Sequence, residues 1–552
     1  MKTHIRIILA TVITLLVIAI GFYCLLPALN VYSQEFWVLL LFVVLIWGGL
    51  YLVTGLKSAV NVFTNKGGKI NLNFKNGALK IIAIVVAVPI AVLIVGNVAS
   101  STFFNAEKYA TLIEVPEAVF EDDMPETDTV TNIALMDSAS ATMIGNRTLG
   151  ALSDVVSQYE AGYTYSQINY GSAPAKVTNL EYAGFFKWFN NRNSGIPGYI
   201  KVDPVNSAAE YVSFSKPMKY VESAYFGDDL YRKLRFEYPT KIFDEMTFEI
   251  DEDGNPYYIV SCVHPRIAMF GAMDVNEVII FDPTDGSSEI YSVEETPSWV
   301  DNVFTGVLAT QKYDWYGMLK NGFWNSIIGN KDCKVTTDDY GYIIIGDDVW
   351  YFTGVTSVSS DESNIGFIIS NARTGEYKFY PVIGAEEYSA MQAAEGEVQE
   401  KGYVSSFPSL INVSGEATYI MVLKDDNGIV KLCALVNVEN YSIVAIGSDQ
   451  TEAKQAYIKL LRQNNIIGDD DIQPPENTEI LSKDIIVGDV RIVTVDGNSV
   501  VYITDENGTL YKQSISDDES VMLIGLGDKI KVDYVDTEIE QIKQMVSWEF
   551  QK

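Results

Sequence analysis

The chain has 552 residues, 48% of them hydrophobic, and a net charge of −33 at neutral pH, the mixture expected when apolar membrane segments are joined to soluble domains. That length excludes a single hydrophobic core. Residues 1–98 hold seven basic residues and one acid, a net +6, which leaves −39 for the remainder and a surface that repels nucleic acid and anionic headgroups.

In chain order, Ile7–Leu26 is the first apolar run of bilayer-crossing length, followed by Phe36–Leu56 and Ile81–Val98. The first is longer than a signal-peptide core and no small-x-small cleavage site follows it, so it reads as a retained helix. Loop charges predict the orientation. Lys2 and Arg6 place the N-terminus in the cytoplasm, and the link around Asn30–Glu35, without Lys or Arg, belongs outside. The loop from Lys57 to Lys80 carries five lysines and no acid and belongs inside. Everything after about Ala99 is then extracytoplasmic, held at the plasma membrane by three helices. No Asp, Glu, Lys or Arg lies inside a span, which argues for an anchor and against an ion pathway. Pro89 predicts a kink in the third span.

An acidic stretch, Val115–Thr129, leads into MDSASATMIGNRTLGALSDVVSQYE (Met136–Glu160), where Thr148 is placed as a helix N-cap. Arg147, a lone cation in acidic surroundings, is either a ligand for a carboxylate or phosphate or the partner of a neighbouring acid. In FFKWFNNRNSGIPG (Phe185–Gly198), Lys187, Trp188 and Arg192 form either a glycan- or peptide-binding face or one side of an amphipathic helix.

Four later segments look alike: GYIKVDPVNSAAEYVSF from Gly198, EVIIFDPTDGSSEIYSV from Glu277, GFIISNARTGEYKFYPV from Gly366 and KLCALVNVENYSIVAIG from Lys431. Each is an apolar strand, an Asp or Asn, a short turn and a second strand. Asp203, Asp282, Asn371 and Asn437 hold matching places, where a short polar side chain caps its own turn. Further hairpins precede them from Phe248, Tyr342 and Leu410, with a looser counterpart from Ile168. Helical patterns follow at Glu386–Glu395 and Ser448–Asn465, and an aromatic-rich stretch begins at Trp315.

A strand-rich unit with helices that carries DPTDG or NARTG at a hairpin turn resembles the PepSY-type module. The resemblance covers about residues 160–465 as degenerate copies. It implies extracytoplasmic units that bind or restrain peptidases. The expected fold class is α+β, with a three-helix membrane anchor over 1–98, an acidic stalk over 99–159 and PepSY-like units over 160–245, 246–335, 336–400 and 401–467. A polar linker, GDDDIQPPENTE, follows over 468–479, and then a small β-barrel over 480–552. Asp496-Gly497 and Asn507-Gly508 signal hairpins in that barrel, and GDKIKVDY resembles a strand of OB-like barrels.

Catalytic side chains are scarce. The two histidines are His4 and His264, and Cys262 and His264 alternate on a strand pattern without a nucleophile elbow or an HExxH motif. Cys24, Cys262, Cys333 and Cys433 contain no CxxC pair and read as apolar thiols. Ser213-Phe-Ser-Lys216 matches SxxK, but follows a strand and lacks companion motifs. The acids around Asp251–Gly254 and Asp425–Gly428 read as hairpin turns, not calcium loops. The expectation is therefore a non-catalytic binding or scaffold protein of a bacterial cell envelope, with no catalytic residue, metal or cofactor. Its partners would be an envelope protein or polymer, a peptidase among them, and the bilayer. The alternative is an envelope hydrolase that uses two of the many carboxylates.

Overall fold

The computed structural model of the protein describes residues 3–53, 77–124, 126, 136, 138–171, 173–205, 208–337, 339–358, 363–464, 466–467, 481–495, 498–515, 518–536 and 542–551. Most of the five-lysine loop, the 468–479 linker and Asp496-Gly497 lie outside these residues.

Helices α1 (Thr3–Leu25), α2 (Gln34–Val53) and α3 (Gly77–Ser100) are long and apolar enough to cross a membrane. The few polar side chains hold them in place. Trp47 Nε1 donates to Thr11 Oγ1 at 3.2 Å, and Gln34 Nε2 donates to Asn97 Oδ1 at 3.2 Å. Pro89 sits inside α3 without ending it. A short helix, α4 (Thr102–Ala110), follows and is tied back by the Tyr109 hydroxyl, which donates to the Ser100 carbonyl at 2.7 Å.

Four antiparallel sheets come next, each a meander. The first holds β1 (Tyr159–Ala161), β2 (Ser166–Tyr170), β3 (Ala173–Tyr182), β4 (Ile196–Asp203) and β5 (Ala208–Met218). The second holds β6 (Phe243–Ile250), β7 (Pro256–Ile267), β8 (Gly271–Phe281) and β9 (Ser288–Ser292). In the third are β10 (Lys334–Thr336), β11 (Gly341–Ile345), β12 (Asp348–Ser357), β13 (Ser363–Asn371), β14 (Tyr377–Tyr380) and β15 (Gly384–Ala385). The fourth has β16 (Val404–Ser405), β17 (Ser409–Val413), β18 (Glu416–Lys424), β19 (Val430–Asn437) and β20 (Val444–Gly447). In three of the sheets the leading edge is split, two short strands pairing with the two ends of the next strand. The second sheet keeps one strand, β6, with a bulge between Phe243 and Met246 at the corresponding place.

All four segments singled out by pattern form hairpins, β4–β5, β8–β9, β13–β14 and β19–β20. Their Asp and Asn side chains serve their own turns. Asp203 Oδ1 accepts from Val205 N at 2.9 Å, and Asp282 Oδ1 from Thr284 N at 2.7 Å. Asn371 Oδ1 accepts from Arg373 N and Thr374 N at 2.9 and 2.8 Å, and Asn437 Oδ1 from Asn440 N at 2.7 Å. Asp251 and Asp425 cap neighbouring turns in the same way.

No meander has a core to itself. Tyr258, Val260 and Cys262 of β7 face the first sheet, while Ile259 and Val263 face a second core with Val300, Val303 and Phe304. Strand β12 alternates likewise, with Trp350 and Phe352 toward the fourth sheet and Val349, Tyr351 and Val355 toward Ala309 and Tyr313. Covering both faces explains why these strands are apolar almost throughout. A helix follows each meander: α7 (Leu230–Glu237), α8 (Gly306–Leu319), α9 (Glu387–Glu397) and α10 (Gln450–Gln463), while α5 (Ser138–Gly150) precedes the first and α6 (Phe185–Asn191) interrupts it.

Two expectations are corrected. Thr148 is no N-cap: α5 begins at Ser138, ten residues earlier, because its small residues Ser140, Ala141 and Gly145 let it lie close on the first sheet. A Cβ on Gly145 would meet the Tyr165 hydroxyl at 2.0 Å. Ser213 of the SxxK match lies inside β5, not after a strand and not at a helix start.

The apolar helices are fastened to this body. Leu29 N donates to Pro239 O at 2.7 Å and Asn30 Nδ2 to Thr240 O at 2.8 Å. Arg235 of α7, wholly buried, donates from Nε to Leu26 O at 2.9 Å and stacks on Phe243 at 4.2 Å. The β7–β8 turn meets α3, with Phe270 N donating to Ser100 Oγ at 2.9 Å.

Residues 467–552 form a separate compact unit. Strands β21 (Leu481–Val495), β22 (Asn498–Asp505), β23 (Leu510–Ser514), β25 (Ile542–Phe550) and β24 (Lys529–Asp536) close, in that order, into a barrel around Val501, Ile503, Ile530 and Val532. Asn507-Gly508 forms its β22–β23 turn, with Gly508 at φ +85°.

Candidate functional site

Of the four residues with binding potential, three meet at one corner. Gly184 at φ +99° opens α6, which turns Trp188 inward among the first-sheet core and leaves Lys187 half-buried. Arg192 follows the helix and lies over the Phe189 ring at 4.0 Å and the Trp188 ring at 5.7 Å. Arg147 is on α5, exposed, and no hydrogen bond, ion pair or ring contact joins it to them.

His264 and Cys262 do not act together. A bulge between Cys262 and Val263 breaks the alternation, and Cys262 is buried in the core, where burial pushes its thiol up to about 12. His264 instead meets Tyr32, between α1 and α2, edge-on, with ring centroids 4.7 Å apart. Burial also pushes Cys433 up to about 11. Such thiols are poor nucleophiles. Among the described residues, no group of three or more His, Cys, Asp and Glu gathers to hold a metal ion.

The leading strands of the meanders converge on a polar junction. A pocket of about 280 Å³ is lined from the first, third and fourth sheets by Gln167, Lys176, Tyr342 and Ser409. The Lys176 ammonium, buried, sits 4.9 Å from the Tyr342 ring centroid. Beside it, a cavity of about 80 Å³ is faced by Tyr165, Gln167 and Thr247, each with a buried oxygen that no hydrogen bond satisfies. Room and polarity there suit ordered water.

Deeper in, Glu249 of β6 accepts from Asp301 N at 2.9 Å, and from Asn302 N and Asn302 Nδ2, both at 2.8 Å. Asp301 Oδ2 accepts from Asn169 N of β2 at 2.7 Å. Burial raises both carboxyls above their ordinary range, and the charge of Glu249 raises Asp301 further. This cluster is sealed from solvent and ties the first sheet to the second.

A wider opening lies elsewhere. A cleft of about 660 Å³ runs between the second and third meanders, beside residues 112–116. Its floor is an ion triad: Asp274 accepts from Lys312 Nζ at 2.8 Å and from Arg266 Nε at 3.3 Å. Lys312 is buried over the Phe304 ring, whereas the Arg266 side chain is half exposed in the cleft. Glu114, Glu294 and Glu376 complete the lining. Sequence reasoning missed this site, and no local signal marks it: the partners lie 38 and 8 residues apart, the nearer pair across a hairpin.

Comparison with protein-family models, with curated proteins and with solved structures finds no match for this chain.

Proposed function

We propose that the chain is a membrane-anchored, extracytoplasmic binding protein without catalytic activity, and that the cleft between the second and third meanders holds a segment of a cell-envelope protein or polymer. The cleft carries this reading. It is open and charged, about 660 Å³ in volume, with one guanidinium held at its floor by Asp274 and carboxylates on its lining. Loop charge supports the placement: a lysine-rich loop inside, and an acidic region after residue 99 outside.

We read the four meander–helix units as PepSY-like, on the support of their turns and of the helix after each, and the closed five-strand unit as an OB-like barrel, on the support of its strand order. A peptidase is then the first class of partner to test. The paired-carboxylate hydrolase keeps one observation in its favour, the raised Glu249–Asp301 pair, and its burial counts against substrate access.

The test is a photo-crosslinking residue at Glu294 or Glu376, activated in intact cells. The expected outcome is a discrete adduct that Arg266→Glu abolishes without lowering protein level. Adducts indifferent to Arg266→Glu would remove the cleft from the proposal. Cleavage of envelope polymers by purified protein, lost in Glu249→Gln, would establish the hydrolase instead. Protease added to spheroplasts should digest the region after Ala99; its protection would reverse the topology.

A further inference from the structure

Two apolar patches stand beside the ends of the membrane-length helices. The first continues from α1. Phe236 of α7 packs on Phe22 and Tyr23, with ring centroids 5.7 and 6.4 Å apart. Arg232 spans from Tyr23, whose ring it covers at 4.5 Å, to the Phe226 carbonyl at 2.7 Å. Phe226 leads by ring contacts to Trp188 and on to Phe185, Phe186 and Phe189. Phe186 is 78% exposed and Phe226 58%.

The second patch continues from α3. Phe103 and Phe104 lie in the first turn of α4, and Phe103 packs edge-on against Phe323 and Trp324 at 5.1 and 5.8 Å. A π-helical turn, Asn325–Gly329, then presents Ile327 and Ile328. Trp324 is 64% exposed and Ile328 76%. Exposure of large rings and β-branched side chains in such groups marks an interaction surface.

Charge says what covers them. The region after residue 98 carries −39, yet residues 185–198 carry +2, residues 226–237 are neutral and residues 320–334 carry +2. Aromatic rings with Lys and Arg beside them are the composition of a bilayer's headgroup level, where the ring lies among acyl ends and the cation reaches phosphate.

We infer that both patches seat in the headgroup–acyl boundary of the bilayer that the three helices cross, so that the strand-rich body lies face-down on the membrane. The inference rests on the reading of those helices as spans. The acidic surface elsewhere is turned from the lipid, and the body is held by three helices and two interfacial contacts. Arg235 and the β7–β8 turn, which join helices to body between the patches, fix the tilt.

The test places benzoylphenylalanine singly at Phe186, Phe226, Trp324 or Ile328 of the full chain, in vesicles of phosphatidylethanolamine and phosphatidylglycerol. Leu15, exposed on α1, is the control for crossing, and Tyr441, exposed on the fourth meander, the control for bulk exposure. Expected are lipid adducts at Leu15 and at all four patch positions, with none at Tyr441. Lipid adducts at Leu15 together with protein adducts at the patches would overturn the inference in favour of a second copy. Water quenching there, with no adduct, would also overturn it. No lipid adduct at Leu15 would remove the spans, and the inference with them.

Discussion

At the hairpin tips and at the junction of the first three meanders, the same chemistry operates in opposite surroundings. Asp282 and Asp285 at a tip, like Glu249 at the junction, accept main-chain N–H groups. At the tip the acceptor is a few residues from its donors and close to water. At Asp285 the hydrogen bonds then favour the ionised form, and Ser287 and Lys216 hold it down to about 2. At the junction the donors are 52 residues away and water is excluded, so burial outweighs three hydrogen bonds and the carboxyl is raised. Tips cap their own turns, with only an exposed ion pair such as Asp285–Lys216 reaching a neighbour, whereas the buried junction joins units. Acids of the first kind should therefore stabilise the fold little and favour neutral pH, and those of the second kind should matter a great deal and favour lower pH.

The largest expected effect tests the junction directly. Glu249→Ala strands two buried main-chain donors and the Asn302 amide, and should cost about 3–5 kcal/mol at roughly 1–3 kcal/mol per buried unsatisfied group. Glu249→Gln keeps the oxygen that accepts both Asn302 groups, loses the bond to Asp301 N and removes the repulsion with Asp301. It should cost clearly less. Urea unfolding of the full chain in micelles measures both, and equal losses would show that the oxygen kept in Gln and its two bonds to Asn302 are immaterial.

Next comes Glu387, which repeats the junction's design where α9 meets the third sheet. Fully buried, it accepts from Gly354 N at 2.6 Å and Thr337 Oγ1 at 3.1 Å, and burial pushes it up to about 7 from its ordinary 4.5. Because the folded form holds its proton more tightly than the unfolded chain, the contribution of Glu387 to stability is greatest below about 4.5 and falls as pH rises to about 7. The loss is on the order of 3 kcal/mol at 1.4 kcal/mol per pH unit. Glu387→Gln should flatten that slope; an unchanged slope would assign it to other groups.

What the sequence revealed follows the same division. The spans and the four hairpin tips were legible, because an apolar run of bilayer length and an Asp or Asn before a turn are local signals. The start of α5 was misread: Ser138–Thr142 looks like a linker, and its helix is favoured by close packing on β4 and β5, which no local pattern reports. In Phe185–Gly198 the pattern left a binding face and an amphipathic helix both open; Lys187 and Arg192 are half-buried and Trp188 between them belongs to the core, which no residue spacing reports. The junction and the cleft were illegible. Asn169 meets Asp301 across 132 residues and Lys312 meets Asp274 across 38, and sequence spacing carries no trace of either pair.

A smaller effect is expected at Asp282→Ala. The substitution frees Thr284 N at a partly buried turn, where the lost bond is worth about 1 kcal/mol. The measured loss should stay well under that of Glu249→Ala. A loss of equal size would mean that the tips, too, hold the units together.

The smallest expected effect has the opposite pH sign. Asp285 is exposed, pairs with Lys216 at 3.1 Å, and accepts from Ser287 N at 3.0 Å and Ser287 Oγ at 2.7 Å. Its folded value lies below the ordinary 3.8, so its contribution is present above 3.8 and is lost as pH falls toward about 2. Solvent screening at so open a site keeps that contribution small, and Asp285→Asn should change stability by less than about 0.5 kcal/mol at neutral pH. The sign is the informative part. Asp285→Asn should narrow its gap to the unsubstituted protein as the solution is acidified below 3.8, while Glu387→Gln, the more stable protein at pH 8, closes its own gap from the other side as pH falls from about 7 to 4.5. If both variants shifted in the same direction with pH, burial would not be what separates the two kinds of acid.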